Sequence, residues 1–235
     1  MGINSLNSRI IVALDVTNKP LNWFIDFIDA TKNIVAGYKF GLPFLIRYGL
    51  EGFMEISKLI DNKHYWIIDF KLADIAPIMI NTVNQLVEMG YNTYIAHAFI
   101  GLEGGLFELK DFLSKQNSKL VLVASMSHKG SLDIIDKCLL NILEIIKKLK
   151  PWGLVAPATR PDRIIEIKKF LFENNIQAKI FSPGIGVQGA APGTAIRVGA
   201  DYEIIGRMIT LSSNPIKIIE EINKIHREII GVDHK

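Results

Sequence analysis

Three charged residues, Asp69, Lys71 and Asp74, stand at the end of an apolar run and form a D-x-K-x-x-D pattern. Side chains two residues apart in a β-strand point to the same face, so Asp69 and Lys71 would project together, with Asp74 in the turn that follows. Such charges make a poor core but could form an electrostatic or acid–base site. Taken alone, the triplet could equally be a solvated ion pair at the end of a surface strand.

Composition restricts the class of protein. The chain has 235 residues, of which 49% are hydrophobic and 22% charged, which suits one large core and is common among single α/β barrels. The net charge of +3 comes without a dense block of Lys and Arg. A nucleic-acid-binding surface is therefore not expected.

The cysteine content and the apolar segments bear on location. The single cysteine, Cys138, lies in a helical pattern without a partner for a disulfide, which favours a reducing compartment such as the cytoplasm. Residues 1–9 lack the apolar segment of a signal peptide. The longest uncharged stretch, residues 180–196, is interrupted by glycine and proline, so we expect a loop there and no membrane span.

Strand-like apolar runs alternate with segments of helical periodicity along the whole chain. The predicted strands are residues 9–14, 34–40, 66–75, 92–97, 119–124, 152–156, 178–181 and 202–205. The predicted helices are residues 20–30, 44–60 with an interruption near Gly49 and Gly52, 77–89, 102–113, 132–149, 160–172, 194–198 and 214–225. This alternation predicts one (β/α)8 TIM barrel over residues 1–235, with a doubly wound parallel sheet as the alternative.

A barrel of this kind places its chemistry at the carboxyl ends of its strands, so polar residues there should converge. The predicted strand ends carry Asp15, Lys39, Asp69, Lys71, His97, Ser127, Pro157, Pro183, Gly184, Gly206 and Arg207. The glycine-rich residues 182–189 follow the seventh predicted strand, and Gly206 and Arg207 follow the eighth. Backbone N–H groups exposed by glycine, together with a guanidinium group, are typical of a phosphate site at this position.

These motifs and their order resemble the orotidine 5'-phosphate decarboxylase family, in its compact archaeal-like type, over nearly the whole chain. The matching segments are V-A-L-D at 12–15, Y-K-F-G at 38–41, D-x-K-x-x-D-I at 69–75, M-S-H at 126–128, V-A-P-x-T-R-P at 155–161, S-P-G-I-G-x-Q-G at 182–189 and I-G-R at 205–207. The resemblance implies a TIM barrel that converts orotidine 5'-phosphate to uridine 5'-phosphate.

The resemblance also implies roles for individual residues. It implies that Asp15 and Lys39 lie near the ribose hydroxyls and Ser127 near the pyrimidine ring. The residues implied at the phosphate are Gln188, Gly206 and Arg207, and Pro183 and Gly184 complete the substrate-binding set. It further implies a homodimer in which Asp74 and Ile75 enter the neighbouring subunit's site.

Loss of the carboxylate from C6 of a uracil ring leaves a carbanion that the ring stabilises poorly. The Lys71 ammonium group could stabilise this charge and deliver a proton to C6. Asp69 would face the substrate carboxylate, and their repulsion would ease as carbon dioxide leaves. Lys39 and Asp74 would keep Lys71 charged and oriented. This chemistry needs no metal ion or organic cofactor.

One position departs from the family pattern. The central motif is usually followed by D-I-P-x-T, whereas this chain has Ile78 where the threonine would stand. The threonine is the residue expected to touch the neighbour's ribose. Either Asn81 or Thr82 replaces it, or that contact between subunits is missing.

Two other functions remain as alternatives. A magnesium-dependent sugar-phosphate decarboxylase or aldolase of the same superfamily shares the D-x-K-x-x-D motif but carries a glutamate metal ligand where Lys39 stands. An ammonium group there would repel Mg²⁺, which argues against this function. A nucleotide-binding protein without catalysis should have lost the charged motif.

The remaining ionisable residues include the histidines and two acidic residues near the eighth predicted strand. His97 could face the cavity or serve the structure, and His128 could shape the turn after Ser127. We expect His64, His226 and His234 at the surface. Asp201 and Glu203 are expected to be ordinary charges beside a strand. No histidine shows the spacing of a metal ligand.

Overall fold

The computed structural model describes residues 8–231, which form a barrel of eight parallel strands. The strands are β1 (Ile10–Ala13), β2 (Gly37–Gly41), β3 (Tyr65–Leu72), β4 (Thr93–His97), β5 (Lys119–Val123), β6 (Gly153–Val155), β7 (Lys179–Pro183) and β8 (Tyr202–Ile205). Each strand pairs with the next, and β1 pairs with β8, where Val12 lies opposite Ile205. The closed sheet confirms the predicted (β/α)8 barrel, and the doubly wound alternative is wrong.

Helices connect the strands and cover the outside of the barrel. They are α1 (Leu21–Thr31), α2 (Leu42–Ser57), α3 (Ala76–Glu88), α4 (Phe107–Lys115), α5 (Leu139–Leu149), α6 (Pro161–Glu173), α7 (Thr194–Arg197), α8 (Arg207–Thr210) and α9 (Pro215–Ile230). The expected interruption in α2 is a non-helical backbone at Gly49, with φ of 62°, whereas Gly52 lies within the helix. Asn214 caps the N-terminus of α9, where its side chain accepts a hydrogen bond from the Lys217 backbone N–H.

The strands are apolar on both faces because both faces are buried, as expected of parallel strands in a barrel. Inward-facing residues such as Ile11, Ile67 and Ile204 fill the barrel interior. Their neighbours, such as Ile68 and Ile205, pack outward against the helices. Across residues 8–231, every helix is too short or too polar to cross a lipid bilayer.

Two helices begin later than their periodicity predicts. Residues 102–106 form a wide turn with a left-handed backbone at Gly104, so α4 begins at Phe107. Lys129–Asp133 form a short 3₁₀ helix, residues 134–138 form turns, and α5 begins at Leu139. In this second segment the Asp136 carboxylate accepts hydrogen bonds from the side chains of Ser125 and Ser131. These bonds favour a loop, which a local apolar pattern cannot reveal.

Three polar residues expected at the surface or beside a strand are buried: His64, His226 and Glu203. The ring nitrogens of His64 lie 2.7 Å from Asp61 Oδ1 and 2.6 Å from the Lys32 carbonyl oxygen. Glu203 on β8 and His226 on α9 lie 2.9 Å apart. The expectation was wrong for all three because each finds a partner brought close by the fold.

Cys138 and Asp201 both lie at the ends of regular elements. Cys138 is exposed immediately before α5. Asp201 is half-buried beside β7, where it accepts from Lys179 Nζ at 3.1 Å. His234 and most of the N-terminal segment considered above lie outside the described residues.

Candidate active site

A cavity of about 540 Å³ opens at the carboxyl ends of the strands. The candidate residues that line it are Asp15, Lys39, Asp69, Lys71, Ser127, Pro183, Gly184, Gln188, Gly206 and Arg207. Asp74 and Ile75 lie outside this lining and are exposed, and the strand-end residues His97 and Pro157 also lie outside it. Strand ends distant in sequence therefore converge as the barrel prediction requires.

Four charged side chains of alternating sign form a continuous chain at the base of the cavity. Lys39 Nζ donates to Asp15 Oδ2 at 2.6 Å and lies 3.1 Å from Asp69 Oδ2. Lys71 Nζ donates to both carboxylate oxygens of Asp69 at 2.9 Å. The order is thus Asp15, Lys39, Asp69, Lys71, with Lys71 as the more exposed of the two lysines.

The backbone positions this chain. Between Ile68 and Leu72 the pairing of β3 with β4 shifts register, and Lys71 adopts a left-handed conformation with φ of 47°. A lysine in this conformation is uncommon and typical of functional sites. At the other end, Asp15 Oδ1 accepts from the Gly41 backbone at 2.7 Å, and a Cβ at Gly41 would lie 2.7 Å from the same oxygen. A side chain at position 41 would therefore displace the Asp15 carboxylate from this hydrogen bond.

Burial and pairing act in opposite directions on the ionisation of these groups. Burial alone would lower the pKa of Lys39, but the neighbouring Asp69 and Asp15 carboxylates reverse this effect and raise it. Burial would raise the pKa of Asp69, but the Lys39 and Lys71 ammonium groups hold it below its ordinary value. Lys39 and Asp69 are therefore suited to remain charged at neutral pH.

His97 ends β4 outside the cavity lining. Its ring packs against Phe99 with centroids 4.6 Å apart, and its Nδ1 atom has no hydrogen-bond partner within residues 8–231. Burial, with a further contribution from the Lys71 charge, lowers the pKa of His97. A neutral structural ring fits this position, and the geometry gives His97 no direct contact with the cavity.

The opposite end of the cavity is built from the loops after β7 and β8. Gly184 and Gly186 have φ of 105° and 75°, which only glycine adopts without strain. The loop folds back on itself, with Gly186 N donating to the Ala190 carbonyl at 2.7 Å. Gln188 lines the cavity from this loop, and the exposed Arg207 lines it from the start of α8. Backbone N–H groups and a guanidinium group at one end suit an anionic group of a ligand.

Sequence reasoning missed the residues that hold the Ser127 loop. Arg160 donates to Asp136 and to the backbone carbonyls of Met126 and His128, on both sides of Ser127. Burial would raise the pKa of Asp136, but hydrogen bonds from serine side chains and from Arg160 lower it. Arg160 stood within the V-A-P-x-T-R-P motif and could have been singled out, whereas nothing in the local sequence marks Asp136.

Ile78, which stands in place of the family's threonine, lies on α3 with its two possible replacements, Asn81 and Thr82. Ile78 is exposed near the start of α3. Thr82 Oγ1 donates to the Ile78 carbonyl at 2.8 Å, so this hydroxyl is engaged within its own helix. Asn81 is exposed. Of the two replacements considered, Asn81 has its side chain available.

Within residues 8–231, no three His, Cys, Asp or Glu side chains are grouped as a metal site would require. Asp15 and Asp69, the carboxylates at the base of the cavity, both bond to the Lys39 ammonium group. A cation would have to displace that lysine to reach them.

Known proteins of one family are similar to this chain over almost its whole length. A sequence model of the orotidine 5'-phosphate decarboxylase / HUMPS family matches residues 8–222. The orotidine 5'-phosphate decarboxylase of Aeropyrum pernix is 41% identical over 216 residues, which cover 91% of this chain and 86% of that protein.

Solved structures agree with the sequence relatives. The crystal structure of orotidine 5'-monophosphate decarboxylase from Sulfolobus solfataricus superposes with a TM-score of 0.81 at 38% identity, over 95% of this chain and 99% of that one. The enzyme from Methanocaldococcus jannaschii, solved with the inhibitor BMP, gives a TM-score of 0.80 at 30% identity, over 93% and 98% of the two chains. This chain therefore belongs to the orotidine 5'-phosphate decarboxylase / HUMPS family of enzymes.

Proposed function

We propose that the protein decarboxylates orotidine 5'-phosphate to uridine 5'-phosphate and carbon dioxide. The observation that carries the proposal is the chain Asp15, Lys39, Asp69, Lys71 at the base of a cavity whose far end holds Arg207 and the glycine-rich loop. The charged base suits a pyrimidine ring that loses a carboxylate and becomes a carbanion. The end with Arg207 and the glycine-rich loop suits a phosphate. Relatives that share this family carry the corresponding name.

Lys71 is the group that meets the reacting carbon in this proposal. The bond between C6 and the carboxylate carbon breaks, its electron pair stays on C6, and carbon dioxide leaves. The nearby ammonium group stabilises the developing charge, and a proton passes from Lys71 Nζ to C6. Lys71 then recovers a proton from water. The reaction as written uses no metal ion and no organic cofactor.

Asp69 has two roles in the same step. Its carboxylate holds the Lys71 ammonium through both oxygens, which fixes the donor in position. It also lies close to the place where the substrate carboxylate must sit beside Lys71, so like charges repel until carbon dioxide departs. Lys39 limits this repulsion by neutralising Asp69 from its other side.

The rest of the cavity serves to position the nucleotide. Asp15 and Lys39 bind the ribose hydroxyls, and Ser127 binds the pyrimidine ring. Pro183, Gly184, Gln188, Gly206 and Arg207 form the phosphate end of the substrate site. Binding energy gained at the phosphate keeps the loop closed and excludes water from the ring, so it raises the rate as well as the affinity.

We further propose that the active form is a homodimer. Asp74 and Ile75 lie outside their own cavity, and Ile75 is 60% exposed, which suits residues that act in a neighbouring site. Other large apolar side chains are exposed on adjacent elements at the same end of the barrel, namely Leu42, Ile46, Ile78 and Phe99. Burial of these side chains against a second subunit would bring Asp74 close to the partner's Lys71.

The main alternative is a magnesium-dependent enzyme acting on a sugar phosphate, since the matching family includes more than one activity. Lys39 favours the decarboxylase, because its ammonium group occupies the space between Asp15 and Asp69. The third possibility, a binding protein without catalysis, is disfavoured by the intact charged chain.

The deciding experiment follows the absorbance of orotidine 5'-phosphate with the purified protein in EDTA. Turnover in EDTA is expected. Turnover of sugar phosphates that requires added Mg²⁺, with none of orotidine 5'-phosphate, would support the alternative enzyme. Binding of uridine 5'-phosphate without any turnover would support the binding protein.

In the cell we propose one decarboxylase domain, formed by residues 1–235, that acts in pyrimidine biosynthesis in the cytoplasm. Its ligands are orotidine 5'-phosphate and uridine 5'-phosphate. The exposed thiol of Cys138 is compatible with a reducing compartment.

A further inference from the structure

Glu203 is a fully buried carboxylate on the outer face of β8, with 0% of its surface exposed. Burial of a carboxylate is costly unless hydrogen bonds replace its hydration. Three donors surround this one: Gly193 N at 2.9 Å, Ala195 N at 3.0 Å and His226 Nε2 at 2.9 Å. The family mechanism proposed above gives none of these residues a role.

Two of the three bonds end on the segment that leads from the loop after β7 into α7. Gly193 is the residue before α7, and it has φ of 84°. A Cβ at Gly193 would lie 2.6 Å from the Ile229 side chain and 2.8 Å from Ile225, so the backbone is pressed against α9. Glu203 on one side and α9 on the other therefore hold Gly193 in a single position.

The loop that this position terminates forms the phosphate end of the cavity. Ala190 N donates to the Gly184 carbonyl at 3.2 Å, and Gly186 N donates to the Ala190 carbonyl at 2.7 Å, so hydrogen bonds close residues 184–190 into one unit. Gln188 and Val187 line the cavity from that unit. Residue 184 directly follows β7, and residue 190 leads through two further residues to Gly193.

Glu203 also lies on the strand that leads to Arg207. The same strand thus anchors the end of the loop through Glu203 and presents the guanidinium group of Arg207 to the cavity. A fixed relation between loop and guanidinium group lowers the entropy that is lost when both bind one phosphate.

We propose that Glu203, supported by His226, is a positioning residue that holds the loop of residues 184–193 in register with Arg207 for binding of the substrate phosphate. The inference rests on the proposed function and deepens it. The competing interpretation is that Glu203 and His226 form a buried pair that stabilises the barrel without any specific effect on the phosphate end.

The test compares Glu203→Gln with the wild type on orotidine 5'-phosphate and on orotidine, which lacks the phosphate. A glutamine side chain has one acceptor oxygen and turns an N–H group toward one of the two backbone donors. We expect kcat/KM for the phosphorylated substrate to fall about tenfold or more, as loss of one hydrogen bond to a charged group implies. For orotidine we expect a change within about twofold, since this substrate does not use the phosphate end.

Asn223→Ala is the matched control. Asn223 is buried on α9, as His226 is, but it bonds to Ser8 Oγ and the Ile34 carbonyl and not to the loop. Any effect of this substitution should be equal for the two substrates. An equal loss on both substrates in Glu203→Gln, or no loss, would overturn the proposal.

Hydrogen exchange of residues 184–195 gives a second readout that needs no turnover. We expect faster exchange within this segment in Glu203→Gln and unchanged exchange there in Asn223→Ala. Unchanged exchange in Glu203→Gln would overturn the anchoring role. If the wild type fails to convert orotidine 5'-phosphate while the exchange result holds, the proposed function fails and the anchor stands.

His226→Leu keeps the proposal testable if Glu203→Gln does not fold. This variant removes one donor and leaves both backbone bonds to Glu203. We expect a smaller effect of the same selectivity, with about threefold or greater loss on the phosphorylated substrate relative to orotidine, since one bond of three is lost. Equal effects on both substrates would contradict the role of the pair.

Discussion

Lys71 donates to both carboxylate oxygens of Asp69 at 2.9 Å while its own backbone lies in the left-handed region, with φ of 47°. The same carboxylate is shared with Lys39, 3.1 Å from Oδ2. One buried aspartate thus organises two ammonium groups of different exposure. Both lysines line the cavity, but Lys39 is buried whereas Lys71 is more exposed.

Substitution of Lys71 should abolish most of the activity with little effect on the fold. In the proposed mechanism Lys71 supplies both the charge that stabilises the carbanion and the proton, so for Lys71→Ala we expect kcat to fall by about 10⁴-fold or more. Asp69 keeps its contact with Lys39, so the variant should remain folded. The absorbance assay with orotidine 5'-phosphate measures the loss. Lys32→Ala, on an exposed lysine of the α1 end, is the control and should retain wild-type turnover.

Asp69 should contribute to stability in a pH-dependent manner. Its pKa is held below the ordinary value by Lys39 and Lys71 against the opposing effect of burial. A depressed pKa in the folded state stabilises the protein above the ordinary pKa, and this contribution disappears as the pH falls through the folded-state value. The difference in free energy of unfolding between wild type and Asp69→Asn should therefore be constant from about pH 5 to 8 and shrink below about pH 4.

Urea unfolding at fixed protein concentration measures this difference. The raised pKa of Lys39 keeps that lysine charged throughout the range, so it adds no pH dependence of its own. Asp69→Asn leaves two ammonium groups without the carboxylate between them, and we expect it to be less stable than the wild type at pH 7. A difference of equal size at pH 3 and pH 7 would contradict the assignment.

Asp136 should support catalysis through the loop that carries Ser127. Asp136→Asn weakens the bond to Arg160, which holds the backbone on both sides of Ser127, and we expect kcat/KM to fall about ten- to hundredfold. Ser127→Ala in the Asp136→Asn background should then cost much less than it does in the wild type, because the two act through one contact. Additive losses would indicate independent roles. Asp133→Asn, on an exposed residue of the same segment, is the control, with thermal unfolding measured for every variant.

Arg207 should act on the phosphate and not on the fold. Arg207→Ala should lower kcat/KM for orotidine 5'-phosphate by at least about 100-fold, the effect of losing charge-assisted hydrogen bonds to a phosphate. Because Arg207 is exposed, its loss should change the free energy of unfolding by no more than about 0.5 kcal/mol. The rate on orotidine and the rate of Arg197→Ala, an exposed arginine on α7, should both stay near wild type. Unchanged kinetics with orotidine 5'-phosphate in a folded Arg207→Ala protein would refute the phosphate role.

Complementation between subunits tests the proposed dimer. Lys71→Ala and Asp74→Ala should each be nearly inactive alone, because in the proposed dimer each active site uses Lys71 from one subunit and Asp74 from the other. After the two are unfolded together and refolded, half of the dimers are mixed and each holds one intact site. Activity should then return to about one quarter of wild type, as two-fold symmetry requires. Failure to recover activity, or full activity from a stable wild-type monomer, would exclude a shared site.

Much of the fold could be predicted from local patterns. The alternation of strand and helix periodicity depends on which residues are apolar, and this property is visible in the sequence. The starts of α4 and α5 could not be predicted in this way. The segment before α5 is held by Asp136, whose partners include Arg160, 24 residues away and on the next strand–helix unit. Bonds between units compete with helix formation, and no local window contains both partners.

The burial of individual charged groups also could not be predicted from local patterns. The sequence predicted Glu203 to be an ordinary charge beside a strand, yet it is enclosed by α9 and by the residue before α7. Its partner His226 was predicted to lie at the surface. Hydrophobic periodicity reports the average environment of an element, whereas a single buried carboxylate depends on donors that only folding brings near.

Local patterns and motifs were enough to predict the barrel, the strand ends that carry its polar residues and the family. They could not show that Asp15, Lys39, Asp69 and Lys71 form one unbroken chain of alternating charge, which is visible only in the folded protein. The physical reason is distance. Periodicity specifies the direction in which a side chain leaves its strand, but closure of the barrel sets which charges lie within about 3 Å of one another, and electrostatic chemistry depends on that separation.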